Sequence, residues 1–251
     1  MITGEQTPEA FVGDEEEIPR PDVSNLITED DTPVDNLFSE KQMRLLTESI
    51  HTSWKPGFPF VAMANVGVYV ALNRPAIVPD VLVTTEVEPL QDAMKKDHRS
   101  YFTWMYGGKV PDVVIEIVSN TKGGELSTKK RDYHHIGVPW YAVFDPAHHL
   151  TENTLTIFER QRADYVTSNQ PAFEGIGLGV TLWTGEYEGM TETWLRWTDR
   201  DGKMLLTGKE STEAEARRAA AETKRAAAEA GRAARFAAKL RELGVDPEGL
   251  R

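Results

Sequence analysis

The sequence predicts a mixed α/β domain preceded by an acidic arm and followed by one long helix. Three observations predict it. Residues 112–146 spell a strand, a helix and a second strand in succession; the segments on either side are β-like and punctuated by turn residues; residues 210–243 are dominated by alanine, glutamate, arginine and lysine. Asp112 to Ser119 is an apolar, β-branched run and reads as a buried strand. From Glu125 to Ile136 the spacing is helical, with Leu126, Tyr133 and Ile136 on one face and Gly137 as the stop. Val138 to Pro146 then reads as a second buried strand.

A length of 251 residues, 40% hydrophobic and 27% charged, accommodates one ordinary domain with appendages. No apolar run reaches the roughly 18 residues of a membrane span, and residues 1–32 lack the features of a signal peptide, so a cytoplasmic protein without a membrane partner is expected. The absence of cysteine excludes disulfides, thiol catalysis and cysteine-zinc sites, and six scattered histidines leave metal chemistry to oxygen ligands. Magnesium is the default ion, with manganese as its substitute. Residues 1–32 hold ten acids against Arg20 alone, so nine of the twelve net negative charges sit there and the body is nearly neutral. The division expected is an acidic arm over 1–32, a folded domain over 33–207 and a helical tail over 208–251.

Folding signals begin at Pro33 and Asp35. Ser39-Glu-Lys-Gln42 fits a capping box, and Met43, Leu46 and Ile50 give one apolar face to a helix ending near Trp54. Phe60 to Met63 and Val66 to Leu72 read as neighbouring strands joined tightly at Ala64-Asn65. Pro79-Asp80 opens another β-branched run to Glu86, repeating the Pro111-Asp112 pattern, so that each aspartate stands at a strand entrance. Between these runs, the segment from Glu88 to Gly108 reads as a surface excursion followed by an edge strand at Tyr101 to Tyr106. Thr154 to Phe158, Asp164 to Thr167, Val180 to Trp183 and Trp194 to Trp197 read as a hairpin-rich extension covering the sheet edge, with a last short strand at Met204 to Leu206. The closing helix is too poor in large apolar residues, and too interrupted by Gly231, for its pattern to establish a coiled coil; a solvated or weakly self-associating helix is expected, with a homodimer left open.

Glu116 sits inside an apolar run, where an unpaired carboxylate is costly. Asp80 and Glu116 from adjacent strand ends could share a hard divalent cation, and an ammonium nearby, Lys129, could orient an attacking water or steady an oxyanion. That combination is phosphodiester hydrolysis. Lys129 shares the Tyr133 face and is expected to turn inward with it, leaving Lys130 about 100° away and more exposed.

Pro111-Asp-Val-Val-Ile-Glu-Ile-Val-Ser119, followed by Glu125, Lys129, Tyr133, Gly137-Val138-Pro139, Tyr141 and Asp145-Pro146 at their spacing, resembles the Uma family of restriction-endonuclease-like proteins. The Pro79-Asp80 strand and the Ala/Glu/Arg-rich closing helix are similar to it too, and the resemblance spans roughly residues 35 to 200. It implies a Pro-Asp…(Asp/Glu)-x-Lys nuclease core with a mixed central sheet flanked by helices, acting on DNA as a magnesium-dependent endonuclease. It also implies metal binding by Asp80 and Glu116. The superfamily's lysine, expected two positions after the glutamate, is Val118 here; the family's substitute on the following helix matches Lys129. Gln42, Asp112 and Lys130 are accessory candidates. The reading from a different class is a catalytically idle member that serves as an interaction module.

Overall fold

The computed structural model describes Asp22, residues 36–119 and residues 124–244. The acidic arm apart from Asp22, and residues 120–123 of the loop that follows β5, lie outside the described residues. Helix α1 (Leu37–Ser53) starts one turn earlier than the capping box suggested: Asn36 is the cap, its side chain accepting from the Ser39 N–H, while Ser39 is buried within the first turn. The predicted apolar face holds, and Met43, Leu46 and Ile50 are all buried.

Strands β1 (Phe60–Ala64) and β2 (Val68–Tyr69) are not neighbours. Asn65 turns the chain with φ of 53°, and β1 pairs antiparallel with β3 (Val81–Thr85), whereas β2 pairs parallel with β4 (Tyr101–Phe102) in a separate ribbon. The predicted edge strand through Tyr106 stops after two residues, because Thr103–Tyr106 coils into a 3-10 turn ended by the left-handed Gly107. Its aromatics are interior, with Tyr101 and Phe102 fully buried.

Strand β5 (Val113–Ile117), helix α2 (Thr128–Ile136) and β6 (Trp140–Phe144) form the predicted crossover, and β5 and β6 are parallel. Gly137 ends α2 at φ of 97°, a conformation that favours glycine. β7 (Leu155–Arg160) and β8 (Tyr165–Ser168) extend the same sheet rather than covering its edge, so its order is β1-β3-β5-β6-β7-β8, with every other pairing antiparallel. This is a mixed central sheet. β9 (Ala172–Phe173), β10 (Leu178–Tyr187) and β11 (Met190–Asp199) make a second sheet, its long hairpin turning on Glu188 and Gly189, both at positive φ. Met204 contributes only an isolated bridge to Thr198.

Side chains on β5 alternate between two cores. Val113, Ile115 and Ile117 pack with α1 and the β10–β11 sheet, while Val114 and Val118 pack with Tyr133 of α2 and with Tyr101 and Tyr106. Glu116 has the parity of the second set, so pleating alone aims it at α2.

The final helix α3 (Gly208–Glu242) is capped by Thr207 and Glu210, each side chain bonded to the other's backbone N–H. Its first turn is tied to the body: Gly208 N–H donates to Glu48, and Glu210 pairs with both terminal nitrogens of the buried Arg196 at 2.7 and 3.1 Å. No residue of α3 itself is buried. Among the described residues no helix is long and apolar enough to cross a membrane.

Candidate functional site

Glu116 has no solvent exposure, and each of its oxygens has a donor from α2. The Lys129 Nζ lies 2.7 Å from Oε2 and the Tyr133 hydroxyl donates to Oε1 at 2.6 Å. Four residues separate these donors, one helical turn, so both descend from one face of α2. Position 118 is a fully apolar member of the core, and the ammonium reaches the carboxylate from the helix instead. Lys130 points elsewhere, its Nζ 4.1 Å from the centroid of the Phe158 ring. It is half-buried there.

Asp80 immediately precedes β3. In the antiparallel β3–β5 ladder Val81 faces Ile115, so the register carried one position further sets Asp80 across from Glu116. A hydrogen bond fixes this: the Ile117 N–H donates to Asp80 Oδ2 at 2.6 Å. The two acids named from the sequence therefore meet at the carboxyl end of β5, with Lys129 beside them.

Burial pushes the Glu116 carboxyl up to about 8, reinforced by the Asp80 charge and opposed by the Lys129 charge and the Lys129 and Tyr133 hydrogen bonds. Burial works to lower Lys129, but the Glu116 charge and hydrogen bond, with smaller contributions from Asp80 and Glu125, outweigh it and the ammonium is held above its ordinary value. The Tyr133 phenol is raised well above the usual range by burial first and by the adjacent Glu116 second.

Glu125 also belongs to this neighbourhood. It is buried, its backbone carbonyl accepts from the Tyr141 hydroxyl at 2.8 Å, and its Oε2 has no hydrogen-bond partner.

The donor set suits a hard cation. Asp80 and Glu116 offer carboxylate oxygens without sulfur or imidazole, and no group of three or more histidines and acids able to hold an ion occurs among the described residues. Two carboxylates completed by water and substrate oxygens is how magnesium is commonly held.

Two accessory candidates lie elsewhere. Gln42 spends both ends of its amide on the Leu195 backbone, accepting from its N–H and donating to its carbonyl, each at 2.9 Å, on the opposite face of the sheet. Asp112 stands at the other end of β5, where its Oδ2 accepts from the Thr85 N–H and hydroxyl at 2.7 and 2.8 Å and lies 3.2 Å from the Lys109 ammonium. The hydroxyl of Tyr133 and the side chain of Glu125 are the features that sequence reasoning missed. Tyr133 was visible only as a packing residue at helical spacing, and nothing in the spacing marks its oxygen.

A crystal structure titled "a putative nuclease belonging to DUF820 from Anabaena variabilis" aligns over 55% of this chain and 71% of its own, with a TM-score of 0.36 and 16% identity. No curated protein matches the chain. The profile of the Uma2 family, described as "Putative restriction endonuclease", matches residues 29–178, a span that runs from before α1 into β10 and takes in Asp80, Glu116 and Lys129. With more than half of its length matched, the chain belongs to the Uma2 family of restriction-endonuclease-like proteins.

Proposed function

We propose that this protein is a divalent-metal-dependent endonuclease that hydrolyses phosphodiester bonds in DNA, with Asp80 and Glu116 as metal ligands and Lys129 as the catalytic ammonium. The observation that carries the reading is the contact between the Lys129 Nζ and a fully buried Glu116 at the strand end where Asp80 also arrives. Burying an acid and a base together costs several kcal/mol of desolvation and is weak evidence for stability, so a functional demand explains the pair better than a structural one.

A bound magnesium or manganese ion would supply Lewis acidity at the scissile phosphate. Asp80 and Glu116 would hold that ion from the ends of two adjacent strands, which fix their separation more rigidly than a loop would. Tyr133 holds the Glu116 carboxylate in one rotamer, and the Ile117 N–H does the same for Asp80. The Lys129 side chain keeps 30% of its surface exposed, so its ammonium could donate to an attacking water or to a phosphate oxygen as charge builds there. The family description supports DNA as the substrate.

Supercoiled plasmid incubated with the purified chain and magnesium or manganese tests the proposal. Nicked and linear products that vanish with chelator and in Glu116→Ala are expected. Intact plasmid under all metal conditions, with no manganese binding, would reject it in favour of the interaction module.

A further inference from the structure

We propose that Glu125 is a positioning residue for Lys129, receiving its ammonium when a divalent cation takes over Glu116. This rests on the reading of Asp80 and Glu116 as metal ligands. Both oxygens of Glu116 are already engaged, Oε2 by the Lys129 Nζ at 2.7 Å and Oε1 by the Tyr133 hydroxyl at 2.6 Å, and the carboxylate has no solvent exposure. A doubly charged ion sharing that carboxylate with the ammonium would stand beside a like charge where water screens weakly. Lys129 therefore has to leave Glu116 as an ion arrives, and its side chain, which is not fully enclosed, has room to do so.

The place it moves to is built on the same segment. Glu125 lies four residues before Lys129, in the turn that leads into α2, where the Ser127 and Lys129 N–H groups both donate to the Gly124 carbonyl at 3.0 Å. A separation of four across such a turn brings two side chains to one face, and an acid N-terminal to a base is the favourable order. Glu125 is only 6% exposed, and its Oε2 is enclosed without a hydrogen-bond partner, a condition that a buried carboxylate oxygen rarely keeps without a role. Its backbone is pinned by the Tyr141 hydroxyl at 2.8 Å, and the Tyr141 ring packs on Tyr133 with 5.1 Å between centroids, so two phenols join Glu125 to Glu116. Burial opposes the Lys129 charge, while Glu116, Asp80 and Glu125 all support it. An ammonium passed from Glu116 to Glu125 stays charged and stays on the α2 side of the site, where a reacting phosphate would meet it. Glu125 thus acts through Lys129 and touches neither ion nor substrate.

Calorimetric titration of manganese into the full chain, with no nucleic acid present, tests this as a double-mutant cycle. Glu125→Gln should weaken manganese binding about tenfold in the parent, but less than about threefold in a Lys129→Met background, where no ammonium needs a second partner. Glu125→Asp, which keeps the charge, should lose less than Glu125→Gln. Because Oε2 of Glu125 has no partner to lose, the melting temperature of Glu125→Gln in chelator should not fall below the parent's. An equal loss of affinity in both backgrounds would make Glu125 a ligand of the ion itself and overturn the proposal. A large fall in melting temperature would assign Glu125 to structure and overturn it as well. So would unchanged affinity in Glu125→Gln, an aspartate as weak as the glutamine, or loss of all binding in Lys129→Met, since an ammonium that vacates Glu116 is not needed to bind the ion. These outcomes leave the metal site standing; absence of manganese binding by the parent chain would reject the site and, with it, this role for Glu125.

Discussion

Glu116 is gripped by a lysine and a tyrosine from one helix, yet burial governs how it titrates. Its folded value of about 8 lies above the ordinary 4.5, so its contribution to stability is complete below the ordinary value and is lost as pH rises through about 8. Lys129, raised above its own ordinary value, keeps its contribution throughout that window. In chelator, the melting temperature should therefore decline as pH rises toward and past 8, and Glu116→Gln should flatten the decline. Parallel melting curves for the two proteins would contradict the assignment. Tyr133→Phe should move the Glu116 titration to still higher pH, because the lost hydrogen bond favours the ionised form by about 1.5–3 kcal/mol. Manganese affinity measured against pH would show this as an upward displacement of the binding curve. Glu116 and Lys129 were legible in the sequence because an acid inside a β-branched run demands a partner and Lys129 precedes Tyr133 by one turn. The two Pro-Asp pairs were not distinguishable: locally they are alike, and only the antiparallel pairing of β3 with β5 sends Asp80 to one end and Asp112 to the other.

Among the elements, the β10–β11 hairpin and the start of α3 show where reading by pattern ran out. In Trp194-Leu-Arg-Trp197 the arginine alternates with buried residues and so looks solvent-facing. It is in fact 1% exposed, lying 5.0 Å from the Trp183 ring and bidentate to Glu210. Burial alone would raise Glu210, but hydrogen bonds from Arg196 and the Thr207 N–H overcome it and its carboxyl sits below the ordinary value. Its stabilisation is therefore present above the ordinary value and lost as pH falls through the lower folded one. Glu210→Ala removes the carboxylate partner of a buried guanidinium and should cost about 1.5–3 kcal/mol in denaturant unfolding, with Glu210→Gln in between. A loss within error of zero would mean that Arg196 is satisfied without Glu210. Helix α1 and the crossover were readable from apolar spacing. The β2–β4 ribbon was not, because two-residue strands carry no alternation and their pairing across 33 positions leaves no local mark.

At the scale of the whole molecule, the three-part division makes separate demands. If residues 1–32 are a charged arm with little apolar surface to bury, their removal should leave the melting temperature nearly unchanged. Ending the chain after Glu215 should do likewise, since no residue of α3 is buried in the core. A large fall in either truncation would show packing that the division omits. The order of the central sheet was only partly legible: the parallel β5–β6 pair follows from the crossover helix, but the addition of β7 and β8 to its far side depends on pairings that turn signals alone leave open.

The central claim is that one lysine, carried on α2, completes a metal site built by two strand-end acids. It is tested most directly by comparing plasmid cleavage by Lys129→Ala and Lys130→Ala while manganese binding is followed in the same preparations. Lys129→Ala is expected to lose about two to three orders of magnitude in rate with manganese still bound, as removal of one transition-state donor does elsewhere, and Lys130→Ala to cleave within a few-fold of the parent. Full cleavage by Lys129→Ala, or a greater loss in Lys130→Ala, would contradict the account.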